Sequence, residues 1–285
     1  MDLSDVILLI LTAVIMVLYV RLMLKNKRLR QMADEATRLR LEASEAERRN
    51  RQLKQEMTSN IAHELKTPVS SIRGYLEILL SDKPVDEERR RHYIERSYNQ
   101  TLRLSDLIKD VSLINKLEES ADLFPRDGVD VRQVAQEAAD EMADKAAVAG
   151  VAIENKLPTM PMLGNHELLY AVFRNLMENS VAYAGKGISI IIETYEPAKS
   201  ATHYPLPTTH YFIHYYDTGR GVPDEYLLRL FDRFVRIGEG RSRSEGGTGL
   251  GLSIVKHAVL FHGGEIYAKN RSEGGLEFFF SLKKQ

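Results

Sequence analysis

The sequence predicts a multidomain chain. A transmembrane helix leads into a coiled coil, followed by a dimeric four-helix bundle and an α/β sandwich with a single helical layer. Three observations carry that prediction. Val6 to Val20 is an uncharged apolar run, resumed by Leu22, Met23 and Leu24 after Arg21. From Leu29 to Leu79 apolar residues, interrupted only by Asn50, recur at spacings of three and four, the mark of helices with one buried face. Beyond Pro125, helix-like and strand-like patterns interleave to the end of the 285 residues, a length that suits about two domains.

Composition narrows the function. With 39 basic and 40 acidic side chains and a net charge of -1, nothing favours a nucleic-acid partner. The absence of cysteine excludes disulfides and thiolate zinc sites. The apolar run at the N-terminus approaches the roughly 20 residues that span a bilayer, with Arg21 able to snorkel to the headgroups. Asp2 and Asp5 precede it and Arg21, Lys25, Lys27, Arg28 and Arg30 follow, the reverse of a cleavable signal peptide. The basic flank should stay in the cytoplasm, so a single-pass anchor over residues 1–24 is expected. Its N-terminus would face outward and the rest of the chain would be cytoplasmic.

Residues 25–56 carry no glycine or proline. Leu29, Met32, Ala36, Leu39, Ala43, Ala46, Asn50, Leu53 and Met57 alternate spacings of three and four, a heptad seam that predicts a parallel coiled-coil dimer. Asn50 falls at an a position, where a buried Asn fixes register at some cost in stability. The next helix has its apolar face at Met57, Ile61, Leu65, Val69, Ile72, Leu76 and Leu79. His63 lies off that face, toward solvent. A lone surface His is ordinarily just solvated. Here Glu64 follows at once, and a carboxylate can orient an imidazole and accept its proton, so the pair is a candidate nucleophile and base. Thr67 lies one turn on, and Pro68 is expected to remove a backbone bond and bend the axis. The turn at Asp82-Lys83-Pro84 leads to a second amphipathic helix, Val85 to Glu119. Residues 57–120 from two chains then make the bundle. Ala121 to Asp127 is the boundary, and 126–285 form the last domain.

In that domain Val131–Val148, Glu167–Tyr183 and Gly251–Phe261 read as helices. Val151–Lys156, Gly187–Glu196, Tyr211–Tyr216, Glu265–Lys269 and Leu276–Leu282 read as strands, and Pro197–His210 as a loop. Three stretches share a chemistry. Asn175 and Asn179 place two amides on one helix face, suited to Mg2+ and phosphate oxygens. Asp217-Thr218-Gly219-Arg220-Gly221 follows a strand and offers an acceptor-only carboxylate able to read an exocyclic amine. Gly246 to Gly251, with Thr248 and Leu250, precedes a helix, where freed amides suit phosphate. Each alone is weak: paired surface amides, a plain turn and a glycine loop are the bland alternatives.

Taken together with Ser59 to Pro68, these stretches resemble the motifs of the membrane-bound sensor histidine kinases of bacterial two-component systems, over about residues 54 to 285. Ser59–Pro68 resembles the H box, Asn175–Asn179 the N box, Asp217–Gly221 and Gly247–Gly251 the two G boxes, and Phe231–Phe234 the F box. The resemblance implies a HisKA-type dimerisation domain and a Bergerat (GHKL) ATP-binding fold of the type shared with gyrase and Hsp90. It implies that Asp217 binds the adenine amine, Asn179 ligates Mg2+, Asn175 contacts phosphates and Tyr183 stacks near the base. Gly219, Gly221, Gly247, Thr248, Gly249, Leu250 and Gly251 would shape the lid and phosphate site, with Arg236 reaching the terminal phosphate and Phe231 and Phe234 holding the lid. It further implies that ATP phosphorylates His63 with Glu64 as general base, that the group passes to an aspartate of a cognate response regulator, and that Thr67 positions water for a phosphatase reaction. The chain departs from the family in having Ala182 where a lysine is usual, with Lys186 nearby. It also has only about five residues before the membrane run, so input is expected through the membrane helix, the coil or a separate sensing partner. The rivals are an ATPase clamp of the same fold without phosphotransfer, and a non-catalytic dimeric membrane scaffold.

Overall fold

A computed structural model describes residues 3–81, 84–119, 123–196, 209–237 and 247–284. Gly246 and most of the loop expected over Pro197–His210 lie outside these. So do the side chains of residues 3–14 and of the seam positions Leu29, Ala36, Ala46, Asn50 and Leu53. The chain divides into two units, Met1–Ala62 and His63–Gln285.

The first unit is helical from Leu3 onward, within helix α1 (Leu3–Leu80). The described seam residues Met32 and Leu39 are exposed, and Arg38 pairs with Glu42 one turn on. No helix is long and apolar enough to cross a membrane among the described residues, and much of the run expected to do so lies outside the described side chains.

In the second unit α1 continues to Leu80 with Pro68 inside it, so this proline does not end the helix. The turn carries two side-chain back-bonds, from the Thr67 hydroxyl to the His63 carbonyl (3.3 Å) and from the Ser71 hydroxyl to the Thr67 carbonyl (3.1 Å). Helix α2 (Glu87–Glu119) is capped by Asp86, whose carboxylate accepts from the Arg89 N–H (2.8 Å). Tyr75 stacks on Tyr93 and Glu64 reaches Arg103, so numbers fall on α1 as they rise on α2 and the helices run antiparallel. Val69 and Leu76, expected on the buried face, are 50% and 45% exposed in the single chain.

The remaining elements are β1 (Asp127–Asp130), α3 (Val131–Ala149), β2 (Ala152–Asn155), β3 (Pro161–Gly164), α4 (His166–Asn179) and a π-helical turn (Ser180–Ala184). Then come β4 (Ser189–Thr194), β5 (His210–Asp217), α5 (Asp224–Leu227), α6 (Gly251–Phe261), β6 (Ile266–Asn270) and β7 (Leu276–Lys283). Five strands form one sheet in the order β2-β4-β5-β7-β6, with β2 and β4 parallel and the other pairs antiparallel. Alternation sets its faces. Ile213, Tyr215 and Asp217 are buried on one side of β5, where Ile190, Ile192, Phe278 and Phe280 join the core. Onto that face pack Val134, Ala135 and Ala138 of α3, Leu169, Val172, Phe173 and Leu176 of α4, and Val255, Ala258 and Val259 of α6. The alanines of α3 leave room for close helix packing. This is the expected single helical layer.

Three details differ from expectation. β1 and β3 form a separate antiparallel ribbon, each too short to show a period in the sequence. The four-residue α5 is likewise invisible to periodicity. The helix expected to run through Tyr183 stays α-helical only to Asn179 and then widens into the π-helical turn.

Asn165 ties the helical layer to the domain boundary. Its carboxamide accepts from the Leu168 N–H (3.0 Å), capping α4, and donates to the Pro125 carbonyl (2.9 Å), while its own N–H donates to Nε2 of buried His262 (3.0 Å). Asn165→Ala removes the cap and leaves the Pro125 carbonyl without this donor. Chemical denaturation should show a loss of about 1–2 kcal/mol.

Candidate active site

The site is built around Asp217, at the end of β5 and 3% exposed. Its Oδ1 accepts from the N–H groups of Gly219 (2.9 Å) and Leu276 (3.3 Å). Its Oδ2 accepts from the Ser180 hydroxyl (2.9 Å), and the phenol of Tyr215 lies 3.0 Å from Ser180 Oγ. Three segments therefore converge on one carboxylate: the turn after β5, the start of β7 and the π-helical turn. Gly219 is required by close approach, because a Cβ there would fall 2.4 Å from the Ala184 carbonyl oxygen. The same turn continues through Gly221, closed by Asn270, which accepts from the Val222 N–H (2.9 Å) and donates to the Val222 carbonyl (2.6 Å).

Opposite this end, Gly247 to Gly251 run into the N-terminus of α6, which has no side-chain cap, so first-turn amides remain for an anion. Tyr183 and Asn175 flank the loop: the Tyr183 hydroxyl sits over Gly247 and Asn175 Oδ1 over Gly251, each where a Cβ would begin. Asn175 also donates to the Ala171 carbonyl (2.7 Å). Gly249 (φ 73°) gives its carbonyl to the N–H of Phe234 (2.8 Å), itself at φ 61°, so the F-box stretch and the loop are pinned backbone to backbone. Phe231 instead packs edge-on against Phe278 of the core (6.2 Å). Asn179 is half-buried, and its amide has no hydrogen-bond partner among the described residues. Those residues contain no cluster of three His, Cys, Asp or Glu that could hold a metal.

The helices supply the third part. His63 is exposed on α1. Beside it, Glu64 lies between two guanidinium groups, Arg103 of α2 at 3.5 Å and Arg236 of the F-box stretch at 4.0 Å, all three side chains largely buried. The Thr248 hydroxyl accepts from the Leu250 N–H (3.2 Å) and donates to Asp110 of α2 (2.8 Å). Leu113 and Leu117 of α2 pack against the core of the α/β region. The helical pair therefore meets the F-box stretch through Glu64, next to His63, and the glycine loop through Asp110. Burial pushes the Asp110 carboxyl above its usual value, and the hydrogen bond from Thr248 offsets only part of that.

This geometry sits within two matched family models. Residues 53–120 match the His Kinase A (phospho-acceptor) domain, and 164–285 match the histidine kinase-, DNA gyrase B- and HSP90-like ATPase. The chain belongs to the sensor histidine kinase family. Drug sensory protein A of Synechocystis sp. is 33% identical over 232 residues, covering 80% of this chain and 35% of that protein. The sensor-like histidine kinase SenX3 of Mycolicibacterium smegmatis is 30% identical over 250 residues, covering 87% and 60%. This chain thus spans less than two thirds of each relative. The crystal structure of the histidine kinase ThkA in complex with the response regulator protein TrrA aligns with a TM-score of 0.60 at 20% identity, covering 81% of this chain and 61% of that one. At that identity the likeness is one of fold.

Within this family member the structure gathers Asn175, Tyr183, Gly247, Thr248, Gly249, Leu250 and Gly251 at the glycine loop, and Asp217, Gly219 and Gly221 at the turn after β5. Arg236 comes to Glu64. Lys186 is exposed, as is Ala182. Four participants escaped the sequence reading: Ser180, Tyr215, Arg103 and Asp110. Period-two alternation could have flagged Tyr215, two positions before Asp217 on the same strand face. The others depend on long-range packing.

Asp110 generates a pH test. An acid whose pKa is raised by folding binds its proton more tightly when folded, so stability falls as pH rises from the ordinary aspartate value of 3.8 upward. Asp110→Asn keeps an acceptor for Thr248 without the ionisable proton. It should flatten that part of the thermal stability profile and raise Tm at pH 8 by a few degrees.

Proposed function

We propose that the chain is a sensor histidine kinase that autophosphorylates His63 from ATP and passes the phosphoryl group to a response-regulator aspartate. The observation that carries this reading is Arg236, from the stretch pinned to the glycine loop, within 4.0 Å of Glu64, the neighbour of His63. A cation from the stretch pinned to the glycine loop thus meets the residue next to the acceptor histidine.

Asp217 reads the adenine amine and Tyr183 packs near the base. The amides of Gly247 to Gly251 and the start of α6, with Asn175, hold phosphate oxygens. Asn179 would hold Mg2+, which would supply charge neutralisation there. One ring nitrogen of His63 attacks the terminal phosphorus as the bond to the ADP oxygen breaks. Glu64 accepts the proton from the other ring nitrogen, and Arg103 and Arg236 keep its carboxylate in place. Most of the acceleration then comes from positioning and from spreading charge. Thr67, one turn from His63, positions water for the reverse, phosphatase reaction on the regulator.

Exposed Val69, Leu76, Ile94 and Leu102 on α1 and α2 support a homodimer in which a second chain covers them in a four-helix bundle. The regulator complex of ThkA supports a response regulator as partner, and we place its docking on the helical bundle near His63. We assign residues 1–24 to a single-pass anchor in the inner membrane, 25–56 to a coiled-coil linker, 57–120 to dimerisation and phosphotransfer, and 126–285 to ATP binding. The uncharged run of Val6 to Val20 and its basic flank support the anchor and an outward N-terminus. The signal would enter through that lipid-embedded helix or from a separate sensing partner.

The full chain incubated with γ-labelled ATP and Mg2+ should acquire label that is lost in acid and retained in alkali, the behaviour of a phosphoramidate. His63→Gln should abolish labelling and leave ATP affinity unchanged, whereas Asp217→Asn should abolish both. Labelling of His63→Gln to the original level would refute the assignment.

A further inference from the structure

We propose that Ser180, held in turn by Tyr215, is a positioning residue that restricts the base pocket to 6-aminopurines. The inference rests on the reading of Asp217 as the base-binding carboxylate and adds to it the group that fixes the oxygen left for the base.

The argument follows the protons. Asp217 Oδ1 already accepts from two backbone N–H groups, those of Gly219 and Leu276. Its capacity for a ligand therefore lies on Oδ2, the oxygen 2.9 Å from the Ser180 hydroxyl. A carboxylate only accepts, so Ser180 must give its single proton to Asp217. No proton then remains for Tyr215, and the phenol 3.0 Å away must donate to Ser180. Tyr215 is fully buried, and burial pushes its phenol far above the usual value, so it keeps the proton that this requires. Each donor in the series Tyr215, Ser180, Asp217 thus points one way.

All three side chains are almost completely buried, and the series crosses from β5 to the π-helical turn and back. Oδ2 is left as a fixed acceptor with no proton to offer. A 6-amino group donates into it. A 6-oxo group presents acceptor to acceptor, and a buried site built to receive a donor rejects a ligand that lacks one. Without the Ser180 hydroxyl, water can occupy the gap, and water donates or accepts as needed and bridges either base. The choice then relaxes.

The test is calorimetric titration of the full chain with ATP and with ITP, both in Mg2+. The unmodified chain should bind ATP more than about tenfold tighter than ITP. Ser180→Ala should shrink that ratio about tenfold, chiefly by weakening ATP, and Ser180→Thr, which keeps a hydroxyl, should restore it. Tyr215→Phe preserves the fold's shape and should shrink the ratio by a smaller factor. Equal losses for both nucleotides would assign Ser180 a merely structural role and overturn the proposal, as would an unchanged ratio in both Ser180→Ala and Tyr215→Phe. Binding of neither nucleotide by the unmodified chain would instead refute the reading of Asp217 on which the proposal stands.

Discussion

The burial of one carboxylate governs the α/β region. An Asp side chain removed from water needs donors on both oxygens, and Asp217 draws them from three separate segments. Supplying Leu276 N–H requires β7 to lie beside β5 in its observed register, with Tyr216 opposite Glu277. Supplying Ser180 requires the end of α4 to sit over the end of β5. Supplying Gly219 N–H requires the tight turn that only a residue without a Cβ permits there. Strand order, helix placement and turn geometry must therefore all hold for that carboxylate to stay satisfied.

Glu64 presents the converse arrangement. Its carboxylate is partly shielded on α1 and faces cations from two different elements, one within the helical pair and one from the stretch tied to the glycine loop. Ion pairs shielded from solvent are costly to leave half-made, so loss of either arginine is felt by the other contact. The Asp110 and Thr248 pair acts on the same junction, where burial raises the Asp110 pKa and the hydrogen bond from Thr248 offsets part of that. The joint between the helical pair and the α/β region thus combines an ion-paired carboxylate with a hydrogen-bonded one.

Much of this was legible in the sequence, for identifiable reasons. α6 is mostly apolar along its eleven residues, between a glycine loop and a glycine turn, and its bounds follow from that punctuation. The strand β4 was readable from Ile188, Ile190 and Ile192 on one face, and β5 from the aromatic and β-branched run Tyr211 to Tyr216. The motif residues were visible because glycine, asparagine and aspartate stand out beside apolar runs. β1 and β3 were not, because four residues cannot display a period and their pairing is antiparallel across more than thirty intervening positions. Ser180 and Asp110 were hidden for a different reason. A serine after a helix and an aspartate on an amphipathic helix are ordinary locally, and only the tertiary fold brings them to Asp217 and Thr248.

The π-helical turn after α4 has a mechanical consequence. Wider than an α turn, it ends with main-chain oxygens that the helix does not use, and the turn after β5 takes them: the Tyr183 carbonyl accepts from Arg220 Nε (3.0 Å) and the Ala184 carbonyl from the Arg220 N–H (3.2 Å). The strand end that bears Asp217 and the helix end that bears Asn179 are thereby riveted at a point between them. Pulling either one away would break both bonds at once, so the residue that receives the base and the residue on the phosphate side share one fastening.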